Sequence, residues 1–263
     1  EVAYLTGATQ NIGSETLPNF LGTSGKVYAI GTEGNRCDLA PLGDIDHYSN
    51  DKPAVSAHNF VDGICTMCGT LEEGYVQLVN GYYQIETEGQ LVWFANQVDK
   101  GNPSINGKLM NDIELAKAWT SPIGTEDTPY SGTFNGQGYS ISGFDLTYEG
   151  GKQGLFGCIN GATVQDFSIK GTIAAFGNGG SNAAVGIIAW STYSAIQNVH
   201  SDIIIDATGS TAYSLGSTHV GGVVGSLRTG STIGRCTFSG ALLNGGNKVD
   251  CFGCVIGYIN DNA

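Results

Sequence analysis

The stretch "GLFGCINGATVQDFSIKG", residues 154–171, sets Gly154, Gly157 and Gly161 around Leu155, Phe156, Ile159 and Val164. It is too rich in glycine for a stable helix. Related text returns three times: "VGIIAWSTYSAIQNVHSDII" from Val185, "VGGVVGSLRTGSTIGRCTFSG" from Val220, and "FGCVIGYIN" from Phe252. Aligning "GLFG" (154–157), "GIIA" (186–189), "GVVG" (222–225) and "CVIG" (254–257) gives starts 32, 36 and 32 residues apart. Ten or eleven residues after the first three starts stand Val164, Ile196 and Ile233; three further on stand Phe167, Val199 and Cys236.

A repeat of this length implies stacking, because one unit cannot bury its own apolar face. Helical repeats are excluded by the lack of a 3.6-residue pattern and by the Gly, Ser and Thr content. A propeller blade needs about 40 residues or more, whereas each unit here offers two or three short strands and a variable loop. The sequence therefore predicts a mainly β protein, a right-handed parallel β-helix with an N-terminal capping helix. Leu155, Ile187, Val223 and Val255 should form one inward ladder with about 4.8 Å between rungs. Glycines would serve the corners, where a side chain clashes or φ is positive. The loops "AAFGNGGSNAA", "DATGSTAYSLGSTH" and "LNGGNKVDC" fall at one phase of the repeat and should line one edge.

Upstream, Thr87 or Glu88 opens the one clear helix, with Leu91, Val92, Phe94, Ala95 and Val98 apolar and Gly101 at its end. Its expected place is over the end of the stack, protecting an open strand edge. Alternation at Ile113 and Leu115, and again at Tyr139 and Ile141, reads as strands between glycine-rich turns. Three regions follow: 1–36 as the tail of a preceding β module, 37–73 as a small cysteine- and glycine-rich module, and 74–263 as the stack.

The chain of 263 residues carries 11 Lys and Arg against 24 Asp and Glu, a net charge of −13. Such a surface disfavours nucleic acid and anionic lipid as partners. No apolar run reaches membrane-spanning length. The missing initial Met and the incomplete last repeat suggest a piece of a longer protein. Acidity and scarcity of Lys suggest an extracellular one.

Seven cysteines cannot all pair within one chain. Cys65-Thr-Met-Cys68-Gly69 has the knuckle form in which two thiolates surround a Zn²⁺. Cys37 and His58 would complete a structural Cys3His site, with His47 as a substitute ligand. The alternatives are a Cys65–Cys68 disulfide or a pairing with Cys37; a redox-active motif is disfavoured by the lack of a surrounding βαβ pattern. Cys158 and Cys236 occupy repeat positions as small apolar residues, and Cys251 and Cys254 are close enough in sequence to bridge locally.

The segments "GQLVWFANQVDKGN", "FNGQGYSISG" and "GLFGCINGATVQDFSIKG" together resemble the helix-capped β-helix of large secreted bacterial surface proteins with GLUG repeats, which also occur in some IgA-cleaving metalloproteases. "HNFVDGICTMCG" is similar to short cysteine-bearing linker modules of the same surface proteins. The resemblance covers roughly residues 50–263 and implies an extracellular stalk or adhesion module. Host glycan or protein would be its partner. "GIIA" and "CVIG" depart from the glycine-rich consensus.

No HExxH, GxSxG or Walker spacing occurs. Asp112 and Glu114 share a strand face and so form a candidate carboxylate pair, with Asp145 and Asp166 the next acids. The competing reading makes them solvent-facing acids between inward Ile113 and Leu115, and it is favoured. His200 and His219 are expected to be solvated or hydrogen-bonded. Tyr193 and Tyr213 fall in turn or loop phases where a ring can stack on sugar; for these and for Trp190 and Tyr258, core or corner packing is the favoured role, above all for Trp190. Loops rich in Gly, Ser, Asn and Tyr and nearly free of charge predict weak, salt-insensitive binding to neutral sugar or protein. A carbohydrate-active β-helix enzyme and a non-catalytic region of a secreted protease are the alternatives.

Overall fold

A computed structural model describes residues 26–28, 41–46, 59–66, 71–147, 151–174, 183–206, 218–243 and 251–260. The chain divides into two compact units, Glu1–Glu72 and Glu73–Ala263. In the first unit, Lys26–Tyr28 pairs antiparallel with Pro41–Asp46. Phe60–Val61 and Ile64–Cys65 form a tight hairpin. Its turn is Asp62-Gly63, both at positive φ (50° and 70°). That is the Asp-Gly signature of a two-residue turn whose twist matches the strands.

The second unit is mainly β, with parallel sheets stacked rung on rung and one helix among its described residues, α1 (Glu88–Asp99). Thr87 caps α1 by accepting the Gln90 N–H at 3.3 Å, while the Gln90 side chain reaches back to the Glu86 N–H at 2.6 Å. The Thr87 bond is the N-cap bond; the Gln90 side chain reaches one residue past the cap, to Glu86. Glu88 adds a tertiary anchor, accepting from the Ala116 and Lys117 backbone N–H groups. Leu91, Phe94, Ala95 and Val98 are buried on one face, and Trp93 is buried on the other, its ring 5.4 Å from Tyr83. The Phe94 ring lies 6.0 Å from Tyr130 and 6.1 Å from Phe134, centroid to centroid. Gly107 makes room for it, since a Cβ there would stand 2.9 Å from the Phe94 ring.

Three sets of strands stack in register. In the longest sheet Thr163–Ala174 lies between Thr133–Asn135 with Ser140–Thr147 on one side and Ala195–Asp206 on the other, all parallel. Val164 pairs with Ile196 and Ile196 with Ile233, as the alignment requires. A second sheet stacks Phe156–Asn160, Ile188–Thr192, Val224–Leu227 and Ile256–Ile259; a third stacks Lys152–Gln153, Ala184–Val185, His219–Gly221 and Cys251–Gly253. Leu155, Ile187 and Val223 occupy equivalent positions and are fully buried, with Val255 half-buried at the same place in the last rung. The core continues through Phe134, whose ring meets Phe156 edge-on at 5.2 Å and Phe167 at 5.8 Å.

The opening glycines solve two different problems. Gly157 is a close approach: a Cβ there would stand 2.5 Å from the Gly124 carbonyl oxygen. Gly161 is a turn, with φ +75° and open space around it. Its equivalents, Tyr193 (φ 48°) and Gly230 (φ 70°), share the left-handed backbone. A second left-handed corner runs through Asp166 (φ 60°), Asn198 (φ 53°) and Arg235 (φ 53°). Asp and Asn tolerate this region best among non-glycine residues, and Asn198 donates to the Asp166 carboxylate at 2.9 Å.

Candidate functional site

The candidate carboxylate pair lies at the surface, as the favoured reading has it. Ile113 and Leu115 are buried while Asp112 and Glu114 face solvent. The Asp112 carboxylate accepts from the Ser140 N–H at 2.7 Å and from its hydroxyl at 2.9 Å. The Ser140 backbone bond holds the Asp112 carboxyl below its ordinary pKa, and the hydroxyl bond adds to this. A general acid needs the opposite shift. Asp145 faces solvent, and Asp166 is engaged with Asn198.

Of the four residues foreseen as zinc ligands, Cys37, His58 and Cys68 lie outside the described residues, as does the substitute His47. Cys65 is buried at the end of the Asp62-Gly63 hairpin. Cys158, Cys236, Cys251 and Cys254 are separate thiols. Cys158 is buried, and burial pushes its thiol up to about 11. It is a packing residue, not a ready nucleophile.

The loops share one edge by register. Their upstream anchors Thr147, Ala174, Asp206 and Leu243 stack on one another in the longest sheet. Their downstream anchors Lys152, Ala184, His219 and Cys251 stack in the third. Every chain segment between these anchors therefore leaves and re-enters at the same face of the stack. Tyr213 and the loop interiors 175–182, 207–217 and 244–250 lie outside the described residues.

Beside the downstream anchors lies a feature the sequence reading did not foresee. Cys158, Trp190, Ser226 and Tyr258 form one column in the second sheet. The Lys152 ammonium lies 4.2 Å from the Trp190 ring centroid, and the Arg228 guanidinium carbon lies 3.9 Å from it. Arg228 also lies 5.0 Å from the Tyr258 ring. His219 stacks on Tyr258 at 4.2 Å with the rings 6° from parallel, and faces Trp190 at 6.4 Å. Cations and rings thus bridge all four rungs, each contact contributing about 0.5–2 kcal/mol depending on desolvation. Trp190 is half-buried in the middle of strand Ile188–Thr192, not at a corner, and meets its neighbours there through cation–ring contacts.

Electrostatics inside the ladder are uneven. Lys152 is ion-paired with Glu126, and desolvation lowers its pKa, with the Arg228 charge adding to the effect. Arg228 donates from Nε to the Ser226 hydroxyl at 2.8 Å and has no carboxylate partner among the described residues. His219 is only 6% exposed, and its Nδ1 has no hydrogen-bond partner. Burial, and then the Arg228 charge, hold its pKa below the usual imidazole value. A cleft of about 140 Å³ opens next to Trp190, between Lys152, Asn160 and Thr192.

The remaining aromatic and histidine candidates are separated from this cluster. Tyr193 is 62% exposed at its left-handed corner, with its ring against Gly230. His200 sits on the longest sheet, hydrogen-bonded through Nδ1 to the Thr237 hydroxyl at 2.7 Å and through Nε2 to the Asn198 side chain at 3.1 Å. Comparison with protein-family models, with curated proteins and with solved structures finds no match to this chain.

Proposed function

We propose that the second unit is a right-handed parallel β-helix, capped at its N-terminal end by α1, that serves as a non-catalytic extracellular stalk or adhesion module of a bacterial surface protein. It binds glycan or protein weakly through its loop edge. The right hand follows from the strong preference of parallel β crossovers. The observation that carries the reading is the shared register of the loop anchors, Ala174–Asp206–Leu243 on one side and Ala184–His219–Cys251 on the other. A scaffold that sends every variable segment to one face has the usual layout of a recognition surface. The same reading gives the first unit a structural zinc held by Cys37, His58, Cys65 and Cys68, which staples a segment too polar to fold alone. Elemental analysis should return about one zinc per chain.

The test of the binding reading is a glycan array run alongside a turnover assay on polysaccharides. Weak retention without turnover is expected. Shortening 207–217 should abolish retention while leaving the β-rich circular dichroism intact. Depolymerisation that disappears in Asp112→Asn or Glu114→Gln would establish the enzymatic alternative instead.

A further inference from the structure

We infer that the Trp190–Arg228–Tyr258–His219 cluster is a subsite for the carboxylate of an acidic sugar, an inference that rests on the loop edge being a glycan-binding surface. Two independent observations meet there. The Arg228 guanidinium carbon lies 3.9 Å from the Trp190 centroid and 5.0 Å from that of Tyr258, and its Nε bond to Ser226 anchors it while leaving its terminal nitrogens unmatched by any carboxylate among the described residues. An arginine anchored this way keeps its planar fork free for bidentate recognition. His219, more than nine-tenths buried, presents an Nδ1 without a partner within the same stack. Burying a polar atom unpaired is unfavourable and is relieved when a ligand supplies the missing bond.

The chemistry of the ligand follows from the charge count. Lys152 is already matched by Glu126, so the ladder offers one unmatched cation. The whole chain carries −13. A dense polyanion would be repelled by the rest of the surface, whereas a single carboxylate on a sugar ring meets only the local field. The neighbouring cleft beside Trp190, with the Asn160 and Thr192 side chains at its rim, is smaller than an ordinary ligand pocket and suits one sugar unit. Loops nearly free of charge predict salt-insensitive binding. This subsite predicts the reverse for acidic glycans.

The experiment titrates the full chain by calorimetry with an oligogalacturonate and with its carboxyl-reduced, neutral counterpart, at low and high NaCl. Expected are tighter binding of the acidic oligomer, several-fold weakening by salt, and a loss of about tenfold or more in Arg228→Gln. Lys170→Gln, a change on the exposed Lys170–Asp202 pair of the longest sheet, should leave affinity unchanged. Because Arg228→Gln could loosen the ladder, a second measurement uses the unaltered chain: free glucuronate should raise the His219 titration midpoint in NMR, and glucose should not. Equal binding of the acidic and neutral oligomers, or an unmoved His219 midpoint, overturns the subsite and leaves the glycan-binding edge standing. Binding of neither oligomer, with no glycan retained on the array, overturns both.

Discussion

The described rungs are enclosed to different degrees. Near α1, the aromatic cluster of Phe94, Tyr130, Phe134 and Phe156 is closed, each of these rings being at most 0% exposed. In the last described rung, the residues at the same ladder positions are only half-buried: Val255 and Ile256 where Leu155 and Phe156 were fully enclosed, with Ile259 54% exposed. The sequence class is alike in both places, so what differs is the neighbour. A rung contributes to stability in proportion to what packs on both of its sides, which is how nearest-neighbour cooperativity arises in repeat proteins.

Substitutions can break or sharpen that contrast. The largest effect should come from Phe134→Ala, which empties the ring contacts joining α1 to Phe156 and Phe167 and should cost about 3–5 kcal/mol in urea unfolding. A paired truncation tests the asymmetry directly. Ile188→Ala, at a fully buried position, should cost about 2–5 kcal/mol, and Ile256→Ala, one ladder step beyond Val224, less than half as much. Equal costs would mean that the last rung is as well supported as the interior. Smaller again is the corner series Asp166, Asn198, Arg235. The first two residues tolerate left-handed backbone, whereas Arg235 at φ 53° does not, so Arg235→Asn should add about 1 kcal/mol of thermal stability.

The smallest effect concerns pH. Asp112 has a folded pKa below the ordinary carboxylate value, set first by the Ser140 backbone bond. A depressed carboxylate contributes stability that is present above its unfolded pKa and lost as pH falls through the lower folded value. Asp112→Asn should therefore lower the neutral plateau slightly, flatten the acid limb of the stability profile below about pH 4, and converge with the unaltered protein in acid. A parallel shift at all pH values would show that Ser140 is held by something other than charge.

The stacking was legible in the sequence because its period is carried by bulky apolar residues. Val164, Ile196 and Ile233 share a column, and α1 begins at Glu88 after its Thr87 cap. The cation–ring ladder was not legible, for two physical reasons. The first is slippage at the corners: Ala184 pairs with His219, Ile188 with Val224 and Ile196 with Ile233, so the offset grows from one sheet to the next within a single rung. No single alignment then puts Lys152 and His219 in one column, although they share one. The second is that a guanidinium over an indole is a matter of rotamers, which carry no periodic signature. The Asp112 bonds to Ser140 link strands 28 residues apart and were hidden likewise.

The orientation of the ladders has a mechanical meaning. In a stack of parallel strands the backbone hydrogen bonds run along the stacking axis, and Thr163–Ala174 is joined to Ala195–Asp206 by paired residues along almost its whole length. A pull along that axis loads all the bonds between two rungs together, so the force is shared instead of passing from one bond to the next. Rupture would then start where the fewest groups share the load. Among the described residues the pairing is shortest on the α1 side, where Gly107 and Lys108 meet Phe134 and Asn135, and Ile113 and Glu114 meet Ile141 and Ser142. Under tension along that axis the stack yields first there, while Thr163–Ala174 and Ala195–Asp206 stay joined.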